Sequence, residues 1–533
     1  MKFTLRLPIP SVKKPLKQFK IDKSFKVKTE VTDRTIKVGE AFGVGVDDEQ
    51  THQVFKDFKV EVKPGDIVYI TGESGSGKST LLRLLAEALN VHGQRTYLNN
   101  SEQFGEVVVD SQLDINPDEV LVEGVGSDVN DALKALSLAG LNDAFLFVRR
   151  FKELSDGQKY RYKIAKMLAS SAGVWVLDEF AAALDRETAK IVAFSLQKTA
   201  RRNGKTVIVA TTHQDLFEDL APSVSIWKGW GEEVNVKYQP NTVNTICSIA
   251  RDVTIRQGTF QDYKKLSYLH YRSGKPFGPR KVFVMELAGR LIGCIIYSTP
   301  MLAAAGRNKF LGHRATPQEV NSDFLTISRV ILHPKFRSIG LGSQFVRDTL
   351  PLSGSRYVET IAIMAKYNPF FSHAGMLEIP VESEMSRVNQ KLLEALKVFR
   401  FNPVFCGSKH YNQRVIEELT DAEYCSLVDL ISRKARFIVS KQVLGSEKTV
   451  PLQEVHNRLE ENHVLVAEAV KVIAVSAQTK KYYVWSMNTQ PEGSYSTNLG
   501  NNNSEAYSSV DASEKQQHPL ELSQIRYTGR EKK

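Results

Sequence analysis

Eight consecutive residues, Gly72-Glu73-Ser74-Gly75-Ser76-Gly77-Lys78-Ser79, carry the pattern G-x-x-x-x-G-K-S. These residue types at this spacing suit one task, the grip of a nucleotide's phosphates. Glycines let the backbone fold round an anion with its N–H groups pointing inward, and a following helix adds the favourable potential of its N-terminus. Lys78 is placed to reach the β- and γ-phosphates, Ser79 to hold Mg²⁺, and Thr80 opens the next element. Four further stretches carry groups able to do chemistry. Leu154-Ser155-Asp156-Gly157-Gln158 precedes a helical run, Val174-Trp175-Val176-Leu177 ends in Asp178 and Glu179, Ala183-Leu184-Asp185 follows, and Thr206–Thr212 ends in His213. Each has a plain reading of its own, as a helix cap, a charged strand end or an isolated histidine.

The elements around these groups are legible. Ile67-Val68-Tyr69-Ile70 reads as a buried strand, and Thr80–Leu89, free of glycine and proline, as a helix, which is the strand–loop–helix setting a phosphate loop needs. Upstream, Phe55–Val62 alternates as a strand does, and Lys63-Pro64-Gly65-Asp66 is a turn.

With 533 residues the chain is too long for one core, so two or three domains are expected. No apolar stretch approaches the length that crosses a bilayer, and the basic N-terminus lacks the apolar segment of a secretory signal. Cys247, Cys294, Cys406 and Cys425 show no metal-binding spacing and read as free thiols, which points to the cytoplasm. A formal charge of +11 permits a nucleic-acid partner. Residues 1–30 carry Lys2, Arg6, Lys13, Lys14, Lys17, Lys20, Lys23, Lys26 and Lys28 against Asp22 and Glu30, several of them alternating with apolar residues as in Phe19-Lys20-Ile21; this suits either the solvated face of an edge strand or an arm that contacts phosphates.

Taken together and in this order, the motifs resemble the ABC ATPase superfamily over roughly residues 36–230. The resemblance implies ATP and Mg²⁺ as ligands, with Asp178 holding the metal through water, Glu179 as general base and His213 sensing the γ-phosphate. Gly72, Ser74, Gly75, Gly77, Lys78, Ser79 and Thr80 would bind ATP. Ser155, Gly157 and Gln158 would face the ATP of a second subunit, so the resemblance implies a head-to-tail homodimer. Only 77 residues separate Lys78 from Ser155, which leaves room for a small helical subdomain. Gln112 is the nearest candidate for the family's loop glutamine, and its adenine-stacking aromatic falls near Asp47 and Asp48, with Phe42 the closest ring.

After residue 235 the pattern changes. Asp252–Arg256 reads as a strand, Thr259–Tyr271 as a helix, and Val282–Leu287 with Leu291–Tyr297 as a hairpin. Phe324–Leu332 is a further strand, followed by His333-Pro334-Lys335-Phe336-Arg337-Ser338-Ile339-Gly340-Leu341-Gly342-Ser343 and a helix. The spacing Arg337-x-x-Gly340-x-Gly342 resembles the acyl-CoA loop of GNAT acetyltransferases, and Asn368–Met376 resembles their terminal element. That resemblance implies acetyl-CoA bound by Arg337, Gly340, Gly342 and Ser343. Phe371 stands where the family's proton-donating tyrosine is found; Tyr367 and Ser328 are the candidate substitutes, and Glu286 and Glu359 the candidate bases.

The fold expected is therefore α/β: a basic segment (1–35), an ABC ATPase core (36–235), a GNAT-like α+β domain (245–410), a small helical or mixed extension (411–485) and a disordered tail (486–533). The combination resembles proteins that join an ABC-type ATPase to an acetyltransferase-like domain similar to the Mom-type DNA-modifying proteins of phages. It implies an ATP-dependent acyl or related transferase directed at nucleic acid. A protein or small-amine acetyltransferase gated by ATP, a non-catalytic ATP-switched binding protein, and the ATPase partner of a membrane transporter are the alternatives.

Overall fold

A strand with alternate apolar residues can lie on a core with its lysines in water. The computed structural model places β1 (Lys17–Val27) in this way, antiparallel to β2 (Gln50–Val62). Phe19 and Ile21 turn inward beside Phe55, Val60 and Val62, while Lys20 and Lys26 stay exposed. The structure describes residues 17–27, 30–43, 45, 50–95, 104–270, 276–363, 367–381, 384–478 and 480–487. The rest of the basic segment, the expected adenine-stacking position at Asp47 and Asp48, and residues 488–533 of the tail expected from 486 lie outside these residues; Ser486, expected in that tail, instead ends a strand.

An unbroken apolar run suits a strand covered on both faces. β3 (Ile67–Gly72) is such a strand, buried along its whole length. It sits in a six-stranded sheet with β4 (Val107–Val109), β5 (Val174–Leu177), β6 (Thr206–Ala210), β7 (Val224–Lys228) and β8 (Val234–Tyr238), in the order β4-β5-β6-β3-β7-β8. All neighbours are parallel except β7 and β8. The helix Lys78–Arg95 buries Leu81, Leu82, Leu85 and Leu89 on one face of the sheet, together with β1 and β2. The helices Asp156–Ala169 and Arg186–Arg202 cover the other face. The C-terminal ends of β3, β5 and β6 thus share one edge, where a crevice for ligands forms in open α/β sheets.

The second sheet has seven strands in the order β14-β15-β13-β12-β11-β10-β9. They are β9 (Val253–Gln257), β10 (Pro279–Leu287), β11 (Arg290–Ser298), β12 (Phe324–Leu332), β13 (Tyr357–Ala362), β14 (Leu377–Ile379) and β15 (Lys481–Ser486). The expected hairpin is β10–β11, turning through Ala288 and Gly289, both with positive φ. Every neighbouring pair is antiparallel except β12 and β13, which pair in parallel over Phe324–Thr326 and Tyr357–Glu359. Thr360 Oγ1 still donates to the Ile327 carbonyl at 3.0 Å. The ladder between the two strands ends at Thr326 and Glu359, before the Gly340 end of β12.

The expected boundary at 410 is corrected. Helices from Glu384 to Ser476 form a bundle with its own core, from Leu392 to Ala477, and the chain then returns as β15 between β13 and β14. The bundle is therefore an insertion in the second sheet, and the stretch read as an extension supplies an inner strand of it. The two sheets also share packing: Ile191 and Phe194 of helix Arg186–Arg202 belong to the same apolar cluster as Phe283, Met285 and Phe336. All four cysteines are free, as expected, and three are buried.

Candidate functional site: a phosphate cradle at the edge of the parallel sheet

The loop after β3 closes tightly because two of its glycines have no room for a side chain. A Cβ on Gly72 would stand 1.9 Å from the Lys228 carbonyl oxygen on β7, and one on Gly77 would stand 2.7 Å from Val54. Both also adopt positive φ, as does Gly75. Lys78 is buried, and its ammonium donates to the Gly72 carbonyl at 3.0 Å and the Glu73 carbonyl at 2.5 Å. Burial lowers its pKa below the usual lysine value. The lysine is held inside its own loop, where an anion would meet it.

Asp178 is brought to this loop by β5, two strands away. Ser79 Oγ donates to Asp178 Oδ1 at 2.8 Å, so residues 99 apart in sequence form one oxygen pair. Glu179 follows, exposed and with φ +47°, a left-handed conformation uncommon for glutamate. Ala181 is also left-handed at +62°. The turn is held from outside: Tyr160 Oη accepts from the Ala181 N–H at 3.0 Å, and the Phe180 N–H donates to the Ala210 carbonyl of β6 at 2.8 Å. A strained turn fixed by two neighbouring elements is the kind that presents a functional side chain.

His213 lies just beyond β6, its backbone N–H bonded to Thr211 Oγ1 at 3.2 Å and its carbonyl accepting from the Tyr69 hydroxyl. Burial, helped by the nearby Arg186 charge, lowers its pKa and favours the neutral imidazole. Ser155 caps the helix Asp156–Ala169, with its N–H bonded to Gln158 Oε1 at 3.0 Å in a capping box. A Cβ on Gly157 would lie 3.2 Å from the Ala183 carbonyl, so this helix start rests against the turn after Glu179. Gln112 is exposed in a one-turn helix directly after β4, the strand beside β5. Ser74 and Gly75 are exposed at the loop's crest, and Thr80 is half-buried.

Asp110 was not expected in the site. It is buried at the end of β4, and its Oδ1 accepts from the Asp178 N–H at 3.4 Å. Burial pushes its carboxyl up, against the smaller lowering by backbone N–H groups. The apolar triplet Val107–Val109 ending in an acid was the available signal.

The family described as ABC transporter matches residues 55–182. The cytochrome c biogenesis ATP-binding export protein CcmA of Zymomonas mobilis is 32% identical over 173 residues, covering 31% of this chain and 73% of that protein. The chain belongs to the ABC family of ATPases. The ribose import ATP-binding protein RbsA of Bacillus licheniformis is 26% identical over 215 residues, covering 36% of this chain, and the chain spans 43% of that protein's length. A dimeric post-hydrolysis structure of the ATP-binding cassette MJ0796 with ADP and Pi aligns at a TM-score of 0.32 and 21% identity, covering 42% of this chain and 98% of that one. Membership of the ABC family implies ATP and Mg²⁺ as ligands, and ATP hydrolysis.

The cassette fits these ligands. Ser76 Oγ is buried in the loop without a hydrogen-bond partner, an orphan that a phosphate oxygen would satisfy. The pair Ser79–Asp178 is an all-oxygen donor set of the kind Mg²⁺ takes, with few carboxylates.

At the second sheet the expected residues are placed less uniformly. Gly340, at φ +92°, is the N-cap of helix Leu341–Thr349, and Gly342 and Ser343 lie in its first turn. Arg337 Nε donates to the Leu332 carbonyl at 2.9 Å and its Nη1 to the Asn142 carbonyl at 2.5 Å, which turns these two groups toward the cassette. Ser328 Oγ pairs with Ser298 Oγ at 2.7 Å. Tyr367 is 44% exposed. Phe371 is buried, its ring centroid 5.7 Å from that of Tyr483. The two candidate bases, which read more simply as structural, are both in ion pairs. Glu286 accepts from Arg256 at 2.6 Å, and Glu359 is buried against Arg307 at 2.5 Å.

Proposed function

We propose that the chain is an ATP-hydrolysing ABC cassette that operates a built-in transferase domain, with an acyl-CoA as donor and nucleic acid as acceptor. The observation that carries the second half is the parting of β12 and β13 beside the N-terminus of helix Leu341–Thr349. An extended donor would lie in the gap with its pyrophosphate on the N–H groups around Gly340, Gly342 and Ser343, whose partial charge favours an anion. Arg337 is engaged by the Leu332 and Asn142 carbonyls, so the backbone N–H groups are assigned the main grip.

In the cassette, the backbone of Gly72–Gly77 and the Lys78 ammonium hold the phosphates. Ser79 and Asp178 would hold Mg²⁺, whose charge would offset that of the phosphates. Glu179 takes the proton of the attacking water, and His213 senses the γ-phosphate. Ser155, exposed, stands with the half-buried Gly157 and Gln158 at the start of a helix, where they would face the ATP of a second copy. The relatives' names speak of import and export, but among the described residues no helix is long and apolar enough to cross a membrane.

Nucleic acid as acceptor is supported by where the charge lies. Residues 251–380 carry 18 lysines and arginines against 8 acids, and Lys20 and Lys26 line the outer face of β1. Hydrolysis of ATP is expected to rise several-fold with duplex DNA, single-stranded DNA or RNA, and to lose that rise between about 50 and 200 mM salt, because phosphate contacts release counterions. Stimulation by one polymer identifies the acceptor class. Indifference to all three removes nucleic acid and favours an amine acceptor or a binding role without chemistry, to which the missing hydroxyl at Phe371 already lends weight.

A further inference from the structure

The loop His333–Arg337 of the second sheet lies on the cassette just where the turn after Glu179 enters its next helix. Asp185 is the N-cap of helix Arg186–Arg202, accepting from the Thr188 N–H at 3.1 Å and the Thr188 hydroxyl at 2.6 Å. Lys335 Nζ stands 2.6 Å from Asp185 Oδ1 and 2.6 Å from Glu187 Oε2. Arg290, from the β10–β11 turn, reaches both oxygens of Glu187 at 2.7 and 2.8 Å. Beneath them is the buried ring of Phe336, with the Arg290 guanidinium 5.6 Å and the Lys335 ammonium 5.8 Å from its centroid. A second anchor is the Arg337 contact to the Asn142 carbonyl.

Single exposed ion pairs fix little. Here two cations from one sheet alternate with two acids in the first turn of one helix, and Lys335 is only 21% exposed. The N-cap of the helix they hold lies six residues after Glu179, and the stretch that joins them begins with two left-handed residues, Glu179 itself and Ala181. Shifting Asp185 would therefore shift the turn that aims Glu179. On its other side, the same loop runs within three residues of Arg337 to Gly340, the N-cap of helix Leu341–Thr349.

We propose that Lys335, backed by Arg290, is a positioning residue for ATP hydrolysis: it clamps the end of the Glu179 turn from the second sheet, and so couples the nucleotide site to the Gly340 loop. Coupling of this kind is reciprocal for binding, so a ligand at either site alters affinity at the other. The ligand half rests on the acyl-CoA reading above; the hydrolysis half does not.

The test uses the full chain. Lys335→Ala is expected to lower kcat for ATP about tenfold, a misplacement effect, with KM for ATP within about twofold of the starting value. Lys335→Arg, which keeps the charge, restores kcat. Lys335→Gln, which keeps most of the stem and removes the charge that Asp185 and Glu187 share, is expected to lower kcat as alanine does, and serves if the alanine variant folds poorly. Unchanged kcat in both Lys335→Ala and Arg290→Ala overturns the proposal, as does a loss carried by KM alone. In a second arm acetyl-CoA is the probe. It is expected to change kcat in the starting protein and to lose that effect in Lys335→Ala. Calorimetry with acetyl-CoA reads binding directly, so failure to bind overturns the acyl-CoA reading while the kcat arm still decides the positioning role. Binding without any effect on ATP hydrolysis or affinity overturns the coupling.

Discussion

Glu179→Gln is expected to lower ATP turnover by about a thousandfold, within the range that a general base contributes, while leaving ATP binding intact. The substitution keeps the shape of the side chain and removes only its ability to take a proton. Binding is expected to survive because the phosphate grip lies elsewhere: in the loop glycines, in Lys78 held by the Gly72 and Glu73 carbonyls, and in the Ser79–Asp178 pair. With hydrolysis blocked, the head-to-tail dimer should accumulate. Light scattering after gel filtration with ATP and Mg²⁺ is expected to give twice the mass of the chain. A monomer under those conditions sinks the ATP-sandwich arrangement. Turnover within tenfold of the starting protein removes Glu179 as the base, and with it the explanation offered for its left-handed backbone.

The cassette was largely legible because its signals are local. The phosphate loop, the acid pair after β5 and the histidine after β6 each sit at the end of a strand that the sequence marks by an apolar run. The parallel sheet then brings those ends to one edge. Asp110 escaped notice because its role comes from burial beside Asp178, 68 residues away, and spacing carries no sign of that. The second sheet was legible as far as β13, where strands still follow one another closely. Beyond it a helical bundle of nearly a hundred residues parts β14 from β15, and a strand that returns after so long a detour has no local marker of its partner. Arg337 shows a different limit. Its place in a glycine-bearing loop suited a phosphate contact equally well; what decided otherwise is the neighbouring cassette, whose Asn142 carbonyl no one-dimensional pattern brings to it.

Arg307→Met is expected to destabilise the second sheet by about 3 to 5 kcal/mol, the effect of leaving one member of a buried ion pair without its partner. Arg307 is fully buried, and its guanidinium donates to both oxygens of Glu359 at 2.5 and 3.0 Å and to the carbonyls of Met301 and Leu302. Thr326 on β12 donates to the same carboxylate at 3.0 Å, and the Tyr482 hydroxyl on β15 completes the set. Glu359 thus ties together β12, β13 and β15, and Tyr482 is the group that fastens the returning strand. A carboxylate with four donors on it is an anchor and a poor acceptor for a substrate's proton, which is why it is set aside as a base. Denaturation of the full chain followed at Trp485, on β15, reads the effect where it is expected, while ATP hydrolysis follows the cassette. Replacing both partners, Arg307→Met with Glu359→Leu, is expected to recover much of the loss, since no buried charge is then left alone. A change below about 1 kcal/mol in the single variant, the scale of a surface pair, would show that the cluster is solvated in solution and that β15 is held by its backbone ladder alone.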